Sequence, residues 1–358
     1  MTKDSNRLEE NRYLKIIDKE LQNLPFFIKE YRLMLQHSTA TQYQYLTEFR
    51  RFFDWLRSSG LTNASSNRTI DLATLEQLKN VDMMCYIDFL KHHRNRQGKY
   101  NSPASINRSL NALRSLFHYL SVTAEDKNGK PYLKHNVMLK VKQLKAGATL
   151  NARARVLEKQ MYCGDQKHQW LDFIANDYEK TLTLKQEITR FHENKTRDLA
   201  LIATLLGSAG RRSEIANLDI KDIELNDAMI NLKRKGGALD SVPLAKWTLP
   251  YIRKYWMIRQ QQYKHDKTTK ALFVTQYQHH YKRISAEQIN NIVKKYSKAY
   301  GRPSTAHKMR HTTASELFQL TKDEMLVAQQ LGQHSTSATH LYTHINSKQQ
   351  KDAMSKLK

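Results

Sequence analysis

Cysteine is nearly absent: Cys85 and Cys163 are the only two in 358 residues. Two thiols cannot build a disulfide framework or a cysteine-type zinc site, so they read as reduced cysteines of an intracellular chain. Six prolines and 11 glycines are also few, which disfavours a loop-rich all-β fold and favours helix. Long apolar runs are missing. The longest, Leu199 to Gly207, is too short to span a bilayer, and the first 30 residues mix charges with short apolar runs and lack a signal-peptide core. The chain therefore reads as soluble and cytoplasmic. Nucleotide-loop and zinc-protease signatures are missing as well, with no G-x-x-x-x-G-K-[ST], no G-x-G-x-x-G and no H-E-x-x-H. Acidic residues are outnumbered 34 to 59 by Lys and Arg, a formal net charge of +25. Such a surplus repels itself, and the partner it fits is a polyanion: nucleic acid first, an anionic membrane surface second.

What is present is enough for two cores. Hydrophobic residues at 40% and aromatics at 9% exclude wholesale disorder, and at roughly 150 residues per domain the length suggests two domains. No internal repeat interrupts the chain. Residues 1–24 read as a charged helical lead-in and 25–141 as a helical domain. In it Tyr45, Phe49, Phe52, Phe53 and Leu56 share one helix face, ended by Gly60, and Met83, Met84, Ile87 and Leu90 mark a further helix. Ser102 is a good N-cap with Pro103 at the first helical position, followed by a stripe of Ile106, Leu110, Leu113, Phe117 and Leu120. The opposite face carries Asn107, Arg108, Asn111 and Arg114, either a solvated face or one turned to nucleic acid. A basic, small-residue stretch at 142–165 reads as a linker across the phosphate backbone. Residues 166–358 then read as helices around a small antiparallel sheet. Helical stretches are expected at Trp170–Asp177, Leu182–His192 and Asp198–Gly207. Short strands follow at Asp222–Leu225, Met229–Arg234 and Ser241–Leu244, the last two joined by a Lys235-Gly236-Gly237 turn. Ala271–Thr275 is a further strand or a buried extended run, and helices run Ser285–Tyr300, His307–Leu320, Lys322–Leu331 and onward past Thr336. The fold class is thus mainly α with a small antiparallel β-sheet.

The side chains able to carry chemistry are cations and one tyrosine. Arg211 stands in Gly210-Arg211-Arg212-Ser213-Glu214, after an apolar helix. Lys235 sits on the hairpin turn. His307-Lys308-Met309-Arg310-His311 opens a helix. Leu331-Gly332-Gln333-His334 is followed by Tyr342. Taken singly, each has a plain structural reading: Arg211 as a cation capping a helix C-terminus, Lys235 as a turn residue, Tyr342 as a half-buried aromatic. His307 and His311, four apart, lack a third ligand for zinc.

Taken in order, these residues make the C-terminal half resemble the tyrosine recombinase (phage integrase) family over about 194–358. The N-terminal helices resemble its helical, SAM-like core-binding domain, and the whole length is most like the XerS branch of the Xer recombinases, in which one recombinase acts without a second Xer partner. The resemblance implies a C-shaped clamp on double-stranded DNA and a site-specific enzyme that cuts and rejoins DNA without metal, ATP or other cofactor. Tyr342 would be the nucleophile, giving a 3′-phosphotyrosine. Arg211 and Arg310 would hold the non-bridging oxygens. Lys235 would protonate the leaving 5′-oxygen, and His307 would accept a proton from Tyr342 or bond a phosphate oxygen. Glu214 would buttress Arg211.

This sequence departs from the family pattern at Gln333, where the family has His or Trp. The amide keeps an N–H donor, and His334 is the other candidate for that task. Arg212, beside the first arginine, is read with Arg108 and Arg114 as a DNA contact. The branch further implies four protomers on two dif-like sites, chromosome-dimer resolution during segregation and cell division, an FtsK-type DNA translocase as partner, and a C-terminal helix, 345–358, packing on a neighbouring protomer. An integrase or transposase of a mobile element, or a type IB topoisomerase, would use closely similar residues.

Overall fold

The computed structural model describes residues 5–358 apart from 36, 95–97, 146, 235–236, 263–269, 278–279, 334, 337–338, 344–354 and 356–358. The chain divides into two compact units between Gly147 and Ala148.

The N-terminal unit is helical because its apolar residues recur at helical spacing. Helices Ser5–Gln22, Phe26–Met34, Thr39–Ser58, Asn80–His92 and Pro103–His118 are its main elements. Ser38 accepts a hydrogen bond from the Thr41 N–H, and Ser102 from that of Ser105, so both long helices start on their caps. Phe49, Phe52, Phe53, Leu56, Leu110 and Phe117 are fully buried. Met83, Ile87 and Leu90 join this core, but Met84 is exposed, because its neighbour Met83 takes the inward position. The polar face of Pro103–His118 is less free than its sequence suggests. Asn107 exchanges two hydrogen bonds with the backbone of Leu144, at 2.8 and 2.9 Å. Arg114 donates to the Val141 carbonyl at 2.9 Å and to Asn111 at 2.8 Å. These side chains lace segment 141–144 to the helix, while Arg108 is exposed.

In the C-terminal unit, the stretch read as linker holds helix Leu150–Glu158, capped by Thr149. Its Ala154 and Leu157, with Met161 beyond it, are buried in a cluster that includes Ala209, Ala314, Val327, Leu331 and Tyr342. Where two helices were expected around residue 193, one helix of 24 residues runs Lys185–Ser208. The polar run Glu193–Asp198 mimics a helix boundary, yet no Gly or Pro breaks it. Buried Asp198 is held by Arg197, at 2.6 and 3.0 Å, and by the Tyr296 hydroxyl at 2.8 Å, so the charge is paired where the apolar stripe lapses.

Strands β1 (Ile223–Glu224), β2 (Met229–Lys233) and β3 (Leu239–Pro243) form an antiparallel sheet in that order. Leu232 faces Asp240, Lys233 faces Leu239, and the Arg234 N–H reaches the Ala238 carbonyl at 2.8 Å. Lys235 and Gly236, at the hairpin turn, lie outside the described residues. A second hairpin, β4 (Val274–Tyr277) with β5 (His280–Arg283), replaces the single extended run expected at Ala271–Thr275. The sequence of β5, His-Tyr-Lys-Arg, has no apolar alternation to announce it. Helices Ala286–Ala299, Ala306–Thr321, Glu324–Leu331 and His340–Thr343 complete the unit.

Candidate active site

Three elements converge on one carboxylate. Helix Lys185–Ser208 ends through Ala209 in the left-handed region, φ +56°. Gly210 follows, where a Cβ would stand 2.7 Å from Ile215 Cδ1, so a larger residue would have to displace that side chain. The turn delivers Arg211 to the start of the short helix Arg212–Ala216. Glu214 reaches back from it: one carboxylate oxygen accepts the Arg211 N–H at 2.7 Å, the other the Arg211 guanidinium at 2.7 Å. Arg234, one residue past β2, donates to the same carboxylate at 3.0 Å, and Arg310 stands 3.9 Å away. Glu214 is 3% exposed. Arg212 points elsewhere, exposed and paired with Glu287 at 3.3 Å.

Helix Ala306–Thr321 supplies the remaining cation and both imidazoles. His307, Arg310 and His311, three and four apart, fall on one face. Arg310 is 3% exposed and donates to the Ala209 carbonyl at 2.8 Å and the Leu331 carbonyl at 2.6 Å. Both carbonyls lie at helix C-termini, where a cation is favoured. The helix-capping reading open to Arg211 thus describes Arg310. Burial, then the charge of Arg211, pulls the Arg310 pKa down to about 10, which leaves it charged at neutral pH.

Tyr342, on helix His340–Thr343, is 3% exposed. Its hydroxyl meets His311 Nδ1 at 2.9 Å, and His311 Nε2 meets His307 Nε2 at 3.1 Å. Burial pushes the phenol up to about 12, against the pull of Arg310. Burial, helped by His307, Lys308 and Arg310, drives His311 down to about 3. His307 is lowered by burial and then by Arg310, Lys308, Arg211 and Arg212. At neutral pH the unliganded site therefore holds a neutral phenol and a neutral His311 beside fixed arginine charge.

The structure brings Tyr342, Arg211, Arg310, His307 and Glu214, all named from the sequence, into one cluster. Gln333 follows Gly332, and its buried amide oxygen has no hydrogen-bond partner among the described residues. Lys235 and His334 fall outside the described residues. Two participants were missed. His311, read only as half of an unlikely zinc pair, touches the tyrosine itself. Arg234, 8% exposed, binds Glu214, Asp240 at 2.8 Å and the Gln330 carbonyl at 3.0 Å. The period-two pattern Ile230, Leu232, Arg234 was its signal, since the first two are fully buried and the third continues the inward face.

Arg234 also explains Gly332. That glycine has φ +58°, and a Cβ on it would lie 2.5 Å from Arg234 Nε. Gly332→Ala is expected to lower stability by about 1–2 kcal/mol for the left-handed backbone and by a further ~1–3 kcal/mol for the clash. Thermal melting reads the loss, and an unchanged melting temperature would show that Arg234 is free to move aside.

A buried phenol with imidazoles beside it, and guanidinium groups gathered on one buried carboxylate, make a cationic site of the kind suited to an anionic ester, and the class of protein these features fit is one that transfers phosphodiester bonds through tyrosine. Comparison with known proteins agrees. The family described as Phage integrase family matches residues 175–349. The tyrosine recombinase XerS of Streptococcus gordonii is 42% identical over 351 residues, 96% of this chain and 98% of that protein. The XerS of Streptococcus mutans is 41% identical over 353 residues, 96% of this chain and 98% of its own. Among solved structures, the XerH site-specific recombinase bound to a palindromic difH substrate matches with a TM-score of 0.63 at 19% identity, covering 89% of this chain and 79% of that one, a likeness of fold. The chain belongs to the phage integrase family, and it is a site-specific tyrosine recombinase similar over nearly its whole length to XerS proteins.

Proposed function

We propose that Tyr342 is the nucleophile of this recombinase and that the enzyme resolves chromosome dimers at a dif-type DNA site. The observation carrying the assignment is the convergence of Tyr342, His307, His311, Arg211 and Arg310 on one end of helix Ala306–Thr321. In the proposed step Tyr342 gives its hydroxyl proton to the neighbouring imidazoles, with His307 as the final acceptor, and Tyr342 Oη attacks phosphorus. The new O–P bond replaces the P–O5′ bond, and the leaving 5′-oxygen takes its proton from Lys235. Rejoining is the reverse, with the 5′-hydroxyl attacking the phosphotyrosine, so no external energy source is consumed. Arg211 and Arg310 stabilise the charge that grows on the non-bridging oxygens. Gln333 or His334 adds an N–H donor there. Glu214 holds the arginines in place.

Arg108, Arg114 and Arg212 contact DNA in this reading, four protomers meet on two sites, and residues 345–358 dock on a neighbour. Most of that last segment lies outside the described residues. An FtsK-type translocase supplies regulation, and the setting is the cytoplasm. Among the described residues no helix is long and apolar enough to cross a membrane. The +25 net charge supports a DNA partner through counterion release, and the extent of the likeness to XerS proteins supports the chromosomal role.

Covalent trapping in the native cell tests this reading. Cells are lysed in denaturant, the protein is captured, and the DNA still attached is sequenced. Adducts at one locus near the replication terminus are expected. Adducts at the ends of a mobile element would overturn the chromosomal role, and adducts scattered over the genome would indicate topoisomerase-like action instead.

A further inference from the structure

Family chemistry asks only that a base take the proton of the nucleophile. In this protein the hydroxyl of Tyr342 does not reach His307 directly, since His311 stands between them. Its Nδ1 lies 2.9 Å from Tyr342 Oη, and its Nε2 lies 3.1 Å from His307 Nε2. The two imidazole rings are edge to face, with centroids 4.4 Å apart. The contacts admit a tautomer pair suited to proton transfer: when the phenol donates to Nδ1 of His311, the proton of that ring lies on Nε2, where it donates to a bare Nε2 on His307. The chain of donors then runs in one direction, from Tyr342 through His311 to His307. We propose that His311 is a catalytic proton relay, resting on the assignment of Tyr342 as nucleophile: the Tyr342 proton passes to His311 Nδ1 as the His311 Nε2 proton passes to His307 Nε2, leaving a phenolate and a His307 imidazolium.

The charges around the relay explain when it runs. Lys308 and Arg310 on the same helix, Arg211 and Arg212 from the facing turn, and His307 itself oppose a positive charge here, while Glu214 and Tyr342 are the acidic groups nearby. With no DNA bound, that field keeps both imidazoles neutral, so the phenol keeps its proton. A bound phosphodiester brings a negative charge among the same cations and offsets their effect on His307. The proton is then accepted at the far end of the relay, next to the anion that called for it, and His311 stays neutral throughout. Substrate thus switches on its own nucleophile, and the buried phenol stays inert between reactions.

The sign of the pH dependence follows. A phenol at about 12 is ionised in only about one molecule in 10⁵ at pH 7, by the difference of the two values. With the relay, cleavage rises as pH passes the His307 pKa and is level above it. Without the relay, cleavage depends on the rare phenolate and climbs tenfold per pH unit through pH 7–9.

His311→Asn and His311→Gln retain a polar group beside Tyr342 but carry no proton onward. Each is compared with wild type on a nicked suicide duplex bearing the DNA sequence recovered by trapping. Non-covalent binding and the melting temperature report folding. Expected are a cleavage rate lowered about 10²- to 10⁴-fold at pH 7, the range for general acid–base groups, a slope of one in log rate against pH, and unchanged DNA affinity. Wild type should also show a bowed proton inventory in mixed H₂O and D₂O, as two protons move together. A His311 variant with a level pH profile and a wild-type rate would overturn the relay and leave Tyr342 as nucleophile. If wild type itself forms no adduct at Tyr342, the site assignment falls and the relay falls with it.

Discussion

Tyr342→Phe is expected to abolish the covalent DNA adduct and all recombination, while the protein folds and binds DNA as before. The ring is 3% exposed and packs among Ala154, Leu157, Met161, Val327 and Leu331, and phenylalanine keeps that volume. Its hydroxyl makes one side-chain hydrogen bond among the described residues, to His311. Losing that bond costs about 1 kcal/mol, or roughly 2–4 °C of melting temperature for a unit of this size. The chemical loss is far larger. Removing a nucleophile from a covalent enzyme lowers the rate by about 10⁶-fold, below detection for a reaction read as shifted bands on a denaturing gel. Gel shift under native conditions reports binding in parallel. A persistent adduct would mean that another tyrosine attacks, and mapping the attached peptide would identify it.

Glu214→Ala is expected to damage both stability and catalysis. The carboxylate is 3% exposed and bonds the Arg211 backbone, the Arg211 side chain and Arg234, with Arg310 at 3.9 Å. Truncation leaves buried cations facing one another with nothing between them. Breaking a buried pair in this way costs about 3–5 kcal/mol, which corresponds to a drop of roughly 6–20 °C in melting temperature. It also frees Arg211, which is only partly buried, to leave the place where the proposed mechanism needs it, so adduct formation should fall by a further factor at temperatures where the protein remains folded. Glu214→Gln separates the two effects, keeping an acceptor and the volume while removing the charge. A melting temperature within 2 °C of wild type for Glu214→Ala would show that the arginines find other partners and that the carboxylate is not their anchor.

Much of this protein was legible along the chain. Helix Thr39–Ser58 is announced by Ser38 and its aromatic stripe, helix Pro103–His118 by Ser102 and Pro103, and the β2–β3 hairpin by its glycine turn. These signals are local: a cap, a 3.6-residue period or a turn acts within a few residues. The polar run at 193–198 misled for the same reason, since a buried Asp198 satisfied by Tyr296 cannot be inferred from its neighbours. Helix Leu150–Glu158 looked like linker because its sequence is basic and small, and only packing against the Tyr342 cluster gives its Ala154 and Leu157 something to bury against.

The same division holds in the active site. Sequence alone determined which residues are present in which order, the spacing of His307 and His311 four apart at the start of one helix with Arg310 beside them in the chain, and the family they resemble. Tertiary structure decided that Glu214 gathers Arg211, Arg234 and Arg310, that Arg310 caps two helix ends, and that His311 rather than His307 meets the Tyr342 hydroxyl. Each of those contacts other than the Arg211–Glu214 pair joins residues 20 to 101 positions apart. Spacing along one helix dictates a shared face, but which atom on that face reaches a distant hydroxyl depends on how separate elements pack.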